Sequence, residues 1–240
     1  MTALLSIEGV SKSYGALKVT DDVSMSVGEG ETLGILGPNG AGKTTLFNLI
    51  SGDVRPDRGR IQFAGNDISG APAHRRCRSG IGRSYQVPQP YGAMTVFENC
   101  LVAATFGAGL PEGDAYPVCV DVLDKTGLLG KANLIAGALT LLDRKRLELA
   151  RALSTRPRLL LLDEIAGGLT EHEAKILVDE IKAIKAQGVT VIWIEHVVHA
   201  LLAVADRLLV LHYGAVLADG APMAVLENPD VKRVYMGMEA

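Results

Sequence analysis

The stretch GPNGAGKTT, residues 37–45, has the residue types and spacing to bind a chain of phosphates. It fits the pattern GxxxxGK[ST], follows a predicted buried strand and opens a predicted helix. Its glycines let backbone N–H groups wrap the phosphates, and the helix N-terminus adds a partial positive charge. We expect Lys43 to reach the β- and γ-phosphates of a nucleoside triphosphate and Thr44 to ligate Mg²⁺. The predicted phosphate contacts are Gly37, Pro38, Asn39, Gly40, Ala41, Gly42, Lys43, Thr44 and Thr45.

A pair of carboxylates ends the apolar run LLLLDE, where a buried parallel strand is predicted. Asp163 would hold Mg²⁺, commonly through water, and Glu164 would polarise an attacking water as general base. Two simpler interpretations stay open at this point. Asp163 could be a helix N-cap, and Glu164 could be a solvated side chain.

Composition places these motifs in a protein of 240 residues, 48% of them hydrophobic, with a formal net charge of -3. That length suits one large α/β domain or two small ones, and the charge argues against a dedicated nucleic-acid binder. The three cysteines are scattered without metal-ligand spacing, so we expect free thiols. We expect neither a signal peptide, since Glu8 interrupts the N-terminal run, nor a membrane span.

The elements that position the motifs alternate between strand and helix on both sides of a helical block. ALLSIEGV and DDVSMSVGEG read as strands joined by a polar turn, and KTTLFNLIS as a helix that stops at Gly52. The pattern is helical from Met94 to about Ser154, with a predicted break at GAGLPEGDAYP. DRLLVLHYGAVLADG predicts a hairpin that turns at Tyr213 and Gly214. This organisation indicates an α/β core with an inserted helical subdomain.

The order of the motifs resembles the nucleotide-binding subunit of ABC transporters along essentially the whole chain. The phosphate loop, Gln86 after a strand, LARAL, LLLLDE and a strand followed by His196 carry the resemblance. The ending LADGAPMAVLENPDVKRVYMG is similar to the tail of branched-chain amino-acid importer ATPases. The resemblance implies a P-loop NTPase (RecA-like) core with an N-terminal antiparallel β part and an inserted α-helical subdomain. It implies one nucleotide-binding domain, with residues 1–86 and 155–240 as core and residues 87–154 as the helical signature subdomain.

Three further side chains take roles that the resemblance implies. Tyr14 matches the aromatic residue that stacks on adenine, unless it packs on its own sheet. Gln86 matches the glutamine that senses Mg²⁺ or the water and moves with the permease, unless it is a capped loop residue. His196 matches the histidine that contacts the γ-phosphate, unless it is a satisfied core residue.

The signature position departs from the family pattern. Aligned on LARAL, Thr140 replaces the serine of LSGGQ, Leu141 and Leu142 replace the two glycines, and Asp143 replaces glutamine. Without the family, T-x-x-D reads as a capping box, with Thr140 bonded to the amide of Asp143 and the Asp143 carboxylate reaching back. The helix N-terminus and a hydroxyl for phosphate would survive. Leucine would hinder the close backbone approach, and Asp143 would add negative charge near an anion.

Two smaller departures lie after the carboxylates. Ile165 stands where the family usually has proline, and Thr170 where GLD would supply an aspartate that crosses between subunits. Thr170 is equally well the N-cap of a capping box, T-E-H-E.

The implied function is that of an ATPase subunit, bound peripherally at the cytoplasmic face of the inner or plasma membrane. It would use ATP and Mg²⁺ to power uptake of branched-chain or related hydrophobic amino acids. Its partners would be a second ATPase subunit, two permeases and, indirectly, an external binding protein, with no nucleic acid. The altered signature favours a heterodimer, since a signature acts on the nucleotide of the facing subunit.

Two alternatives stay open: a regulatory subunit with weak turnover, and a soluble ABC ATPase acting on nucleic acid or ribosomes. A single phosphate loop and the short stretch from Gln86 to Thr140 argue against the second alternative. The arginines of HRRCRSGIGR predict a solvated basic face or, more sharply, a face that touches a permease loop or lipid headgroups.

We predict that Leu142→Gly raises the ATPase rate of the assembled complex, because glycine restores the backbone approach to phosphate. Loss of one preorganised donor costs about 100- to 1000-fold in rate in other enzymes, which bounds the gain. Steady-state phosphate release measures it. An unchanged or lower rate would instead favour a specialised subgroup in which Leu142 is tolerated.

Overall fold

The computed structural model describes residues 3–236 and divides them into two compact units. The first unit contains residues 3–73 and 190–236, and the second is His74–Val189. These two units differ from the predicted division into a core of residues 1–86 and 155–240 and a helical subdomain of residues 87–154, which stays a prediction. The mixed α/β class itself is confirmed, with one antiparallel sheet and a parallel set of strands.

The first unit contains two groups of strands. The antiparallel sheet, in the order β2-β1-β4-β5, consists of β1 (Ala3–Tyr14), β2 (Leu17–Gly28), β4 (Arg58–Phe63) and β5 (Asn66–Asp67). In the other group, β3 (Thr32–Leu36) pairs in parallel with β8 (Thr190–Ile194) and β9 (Arg207–His212), and β10 (Ala215–Gly220) closes a hairpin with β9. Every residue of β3 and β8 is buried, as expected for parallel strands covered on both faces.

Helices of the first unit follow the ends of these strands. They are α1 (Lys43–Ser51), α7 (Val198–Leu202), α8 (Pro222–Glu227) and α9 (Pro229–Met236). Helix α1 stops at Gly52 in a left-handed conformation, as predicted. The predicted turn between β9 and β10 is confirmed, since Tyr213 and Gly214 both have positive φ, as a type I′ hairpin turn requires. The predicted polar turn between β1 and β2 is shorter than expected. It consists of Gly15 and Ala16, because β1 extends to Tyr14 and β2 begins at Leu17.

The second unit is mainly helical around two parallel strands, β6 (Ile81–Arg83) and β7 (Leu159–Asp163). Its helices are α2 (Ala73–Ser79, which begins at the boundary), α3 (Val96–Val102), α4 (Glu112–Lys125), α5 (Leu141–Ser154) and α6 (Glu171–Ala186), with a π-helical turn at Ala103–Gly107 and 3₁₀ turns at Leu129–Lys131 and Ala136–Ala138.

The predicted break at GAGLPEGDAYP is confirmed at residues 108–111, which separate the π-helical turn from α4, and is wrong for the second half of that stretch. The segment EGDAYP belongs to α4, with Pro117 inside the helix. The buried side chains of Ala115, Cys119 and Leu123 form one apolar face, and their packing outweighs the loss of one hydrogen bond at proline. Within residues 3–236, no helix combines the length and apolar character needed to cross a membrane. The three cysteines are free thiols, as predicted.

Thr170 forms the complete capping box that the sequence predicts. Its hydroxyl accepts a hydrogen bond from the amide of Glu173, and the Glu173 carboxylate accepts from the amide of Thr170 at 2.9 Å. We predict that Thr170→Ala lowers stability by about 1 kcal/mol, which corresponds to a Tm lower by about 2–4 °C for a chain of this size. Calorimetry on the full chain measures the shift. Thr170→Ser keeps the hydroxyl and serves as the control, and an equal loss for serine and alanine would contradict the capping role.

Candidate nucleotide-binding site

The phosphate loop of the first unit folds its lysine over its own backbone. Lys43 is the first residue of α1, and its ammonium donates to the carbonyl oxygens of Gly37 at 2.6 Å and Pro38 at 3.1 Å. The side chain is buried, while Thr44 next to it is exposed. The loop therefore holds its cation at the mouth of the amide cradle, which is where phosphate oxygens would compete with the two carbonyls.

Two glycines of the loop lie against backbone carbonyls where no side chain fits. A Cβ on Gly42 would stand 2.4 Å from the carbonyl oxygen of Val19, and one on Gly37 would stand 2.5 Å from that of Leu211. Gly42 also has φ 99°, in the region that favours glycine. The loop is thus wedged between β2 and the end of β9, and its conformation depends on these close approaches.

Tyr235, near the end of α9, contacts the phosphate loop, a contact that sequence reasoning missed. Its hydroxyl accepts a hydrogen bond from the amide of Gly37 at 3.2 Å and donates to the carbonyl of the same residue at 3.3 Å. The tail VYMG is noted in the sequence only for its similarity to importer ATPases. A residue so far along the chain could not be placed on the loop without the tertiary structure.

Cavities beside the loop place His196 among the phosphate-loop residues. A cavity of about 220 Å³ is lined by Pro38, Asn39, His196, Val234 and Tyr235. His196 is exposed, which excludes the alternative of a satisfied core histidine. A second cavity, of about 240 Å³, is lined by Pro38, Asn39, Gly40, Ala41, His212, Tyr213 and Val234.

Tyr14 lies at the end of β1 with about half of its surface exposed (49%). This exposure argues against the alternative of a ring packed on its own sheet. The ammonium of Lys12 stands 5.7 Å from the ring centroid, within cation–π range.

In the second unit, the structure brings Gln86 and Glu164 together. The amide nitrogen Nε2 of Gln86 donates to Oε2 of Glu164 at 2.5 Å. Glu164 is half-buried and has φ 46°, a left-handed conformation that is uncommon for a residue with a Cβ. The two side chains therefore contact each other, which argues against Glu164 as a merely solvated side chain and against Gln86 as a merely capped loop residue.

Asp163, the last residue of β7, is buried and paired with Arg83. Nη2 of Arg83 stands 3.2 Å from Oδ2 of Asp163, and both side chains are less than a tenth exposed. The guanidinium also lies 4.8 Å over the ring centroid of Tyr85. Asp163 thus has a charged partner, and the helix that follows it, α6, has Thr170 as its N-cap, which argues against Asp163 as a helix N-cap.

The predicted basic face of HRRCRSGIGR is wrong for two of its four arginines. Arg76 is fully buried, and Arg83 is held in the ion pair with Asp163, whereas Arg75 and Arg78 are exposed. Burial of a guanidinium requires partners, so these two side chains serve the interior of the unit.

The capping box predicted at the signature is only half formed. Thr140 caps α5, since its hydroxyl accepts from the amide of Asp143 at 3.3 Å. The Asp143 carboxylate does not reach back to the amide of Thr140 but accepts from the Thr140 hydroxyl at 2.9 Å. The Thr140 hydroxyl therefore donates its hydrogen to Asp143 within the same helix turn.

Asp143, which we expected to add negative charge near an anion, is buried and paired with two cations. The ammonium of Lys131 contacts Oδ2 of Asp143 at 2.5 Å, and the guanidinium of Arg146 stands 3.8 Å from Oδ1. Arg146 also forms an ion pair with Glu180 on α6. Burial raises the pKa of Glu180, although the hydrogen bond and the charge of Arg146 act to lower it. The negative charge of Asp143 is thus balanced by cations of the same unit.

Two other residues that depart from the family pattern, Ile165 and Leu141, contact their surroundings in the second unit. Ile165, in place of proline, is fully buried. A Cβ on Gly168 would stand 3.5 Å from Cδ2 of Leu141, so the leucine that opens α5 lies beside the segment that follows the carboxylates.

We predict that Gly42→Ala lowers the Tm of the chain more than Gly40→Ala does. Both glycines have left-handed φ, 99° and 80°, so both substitutions carry a similar backbone strain, about 1–2 kcal/mol. Only at Gly42 would the new methyl group collide with a backbone carbonyl, whereas at Gly40 it would meet nothing within 4 Å. Calorimetry of the two variants isolates the collision, and equal Tm values would show that the close approach is not required.

Comparison with known proteins agrees with this arrangement. Residues 20–167 match the sequence model of the ABC transporter family. The high-affinity branched-chain amino acid transport ATP-binding protein BraF of Pseudomonas aeruginosa is 37% identical over 98% of both chains, and the corresponding LivG of Salmonella typhimurium is 35% identical over 98% of both. A solved ATP-binding cassette of an ABC transporter in its ADP conformation is 31% identical and superposes with a TM-score of 0.90 over 99% of this chain and all of that one. The chain therefore belongs to the ABC transporter family, as one of its ATP-binding cassettes and an ATPase subunit.

Proposed function

We propose that this cassette powers the uptake of branched-chain or related hydrophobic amino acids through partner permeases. The observation that carries the chemistry is the hydrogen bond between Gln86 and Glu164 at the end of β7. The cargo class is inferred from BraF and LivG, which are similar to this chain along almost its whole length.

The proposed reaction is an attack of water on the γ-phosphorus of ATP. Glu164 accepts the proton of the water as a new phosphorus–oxygen bond forms, and the bond to the β-phosphate oxygen breaks to leave ADP and phosphate. The Gln86 amide donates to one carboxylate oxygen and so fixes the carboxylate relative to Gln86, while the carboxylate would take the proton of the water. The left-handed backbone of Glu164 sets the direction from which the side chain enters.

Substrate binding is assigned to the first unit. The backbone N–H groups of residues 37–45, apart from Pro38, and the ammonium of Lys43 bind the phosphates, and His196 contacts the γ-phosphate. The exposed ring of Tyr14 is free to stack on a planar base, which is the reason to assign the adenine to it.

Magnesium would be held by oxygen donors. Thr44 offers an exposed hydroxyl at the start of α1, and Asp163 and Gln86 offer carboxylate and amide oxygens, the hard ligands that Mg²⁺ prefers. Mg²⁺ usually keeps several waters and takes phosphate oxygens beside one or two protein ligands, so this small donor set fits an ion that is bound together with the nucleotide. Bound there, the ion would supply positive charge that offsets the negative charge developing on the phosphates.

The proposed partners are a second cassette and two permeases at the cytoplasmic face of the membrane, with an external binding protein delivering the amino acid. Exposed large apolar side chains support this assignment because protein interfaces bury such groups. Many of them lie in the second unit: Tyr85, Val87, Tyr91, Phe106, Tyr116, Val120, Leu129, Leu134, Ile135 and Leu141. Phe106 is 72% exposed. The net charge of -3 gives no support for a nucleic-acid partner.

We further propose that the second cassette is a different chain with a glycine-containing signature. In this chain Leu141 and Leu142 occupy the glycine positions, and the Thr140 hydroxyl is bonded to Asp143. ATP bound by this chain would face the partner's signature and be hydrolysed efficiently. ATP bound by the partner would face Thr140 and react more slowly.

The test uses the transporter complex purified from membranes and reconstituted in vesicles with its binding protein. We expect two permeases and a second cassette to copurify, and leucine, isoleucine or valine to accumulate only with ATP. Glu164→Gln should lower phosphate release at least ~100-fold while ATP still binds, and Lys43→Ala should lose ATP binding.

Two results would overturn the proposal. Equal phosphate release by the native and Glu164→Gln complexes would remove catalysis from Glu164 and favour a regulatory subunit. ATP-driven uptake of another class of solute, without any aliphatic amino acid, would remove the cargo assignment.

A further inference from the structure

Lys145 is a buried cation on α5 that joins the two segments carrying Gln86 and Glu164. The side chain is buried, and its ammonium donates to the carbonyl oxygen of Gln86 at 2.6 Å and to that of Glu164 at 3.3 Å. Burying an ammonium group is costly, so its position is tightly defined by the groups that receive its hydrogen bonds. The sequence marks Lys145 only as one polar residue of an amphipathic helix.

The two contacts fasten residues that are far apart in the chain. Gln86 follows β6 and Glu164 follows β7, and their side chains are bonded to each other. The ammonium adds a backbone link between the same two residues. Because Glu164 is in a left-handed conformation, its peptide orientation needs support from its surroundings, and the Lys145 contact to its carbonyl supplies one such support.

The same face of α5 also holds the segment after Gln86. Lys145, Glu148 and Arg151 follow one another at three-residue spacing, which places them on one side of the helix. Nη1 of Arg151 donates to the carbonyl of Gln89 at 2.8 Å and contacts Glu148 at 3.1 Å. Burial raises the pKa of Glu148, while Arg151, the backbone of Gln89 and Lys145 act in the opposite direction.

We propose that Lys145 is a positioning residue for ATP hydrolysis, which sets the carboxylate of Glu164 against the amide of Gln86 through their two carbonyls. The inference rests on the proposed function, in which Glu164 is the general base. Lys145 touches neither substrate nor metal in this scheme. Its effect is on the alignment of the base, so it acts on the catalytic step and leaves ATP binding to the first unit.

The test compares Lys145→Met, which keeps the length of the side chain but donates no hydrogen bond, with Lys145→Arg, which keeps donors and charge. In the purified transporter complex, Lys145→Met should lower kcat about tenfold or more, because small misplacements of a catalytic group cost factors of this order. The KM for ATP should stay within about twofold, since transition-state alignment and not uniform binding is lost. Lys145→Arg should recover a large part of kcat. Lys182→Met, at an exposed lysine of α6, is the matched control and should keep the native rate.

A double variant separates positioning from general destabilisation. In a Glu164→Gln background there is no base to align, so Lys145→Met should cause no further loss of turnover. An additional loss in that background, or a fall in ATP affinity and Tm in step with kcat, would overturn the proposal in favour of a structural role. If Glu164→Gln is inactive but Lys145→Met turns over at the native rate, Lys145 has no positioning role and the proposed function stands. If Glu164→Gln itself turns over normally, the proposed function fails instead.

Discussion

The phosphate loop depends on two places where a backbone carbonyl fills the space that a Cβ would need. Gly37 lies against Leu211, and Gly42 lies against Val19, so strands from both groups of the first unit fix the loop. This explains how an irregular segment with several left-handed residues can keep one conformation. The hydroxyl of Tyr235 adds hydrogen bonds to Gly37, which links the end of the described chain to the same loop.

Buried charge organises the second unit in a comparable way. Arg83 pairs with Asp163, Lys131 with Asp143, and Lys145 with two carbonyls. Such groups contribute little net stability, because desolvation offsets their attraction, but each tolerates only a narrow range of geometries. Their common effect is to hold the residues after β6, the residues after β7 and the start of α5 in one defined arrangement.

This arrangement gives the altered signature a physical meaning. The hydroxyl of Thr140 and the carboxylate of Asp143 satisfy each other, and Lys131 neutralises the carboxylate. Leu141 lies beside Gly168, in the segment where Thr170 caps α6. The start of α5 is therefore a capped helix end in which Thr140 and Asp143 are bonded to each other and Asp143 is paired with Lys131, while the side chain of Leu141 stays exposed.

The sequence alone determined the phosphate loop, the α1 helix with its Gly52 stop, the β9–β10 turn and the Thr170 cap, because each is a local pattern of residue types and spacing. The sequence also identified the family, because the order of the motifs along the chain can be recognised without knowledge of the fold. Only the tertiary structure decided that Arg76 and Arg83 are interior and that α4 continues through Pro117. It also decided that Lys145 contacts the segments of Gln86 and Glu164 and that Tyr235 contacts Gly37. Those outcomes depend on packing and on hydrogen bonds between segments distant in the chain, and no local pattern encodes which distant groups will meet.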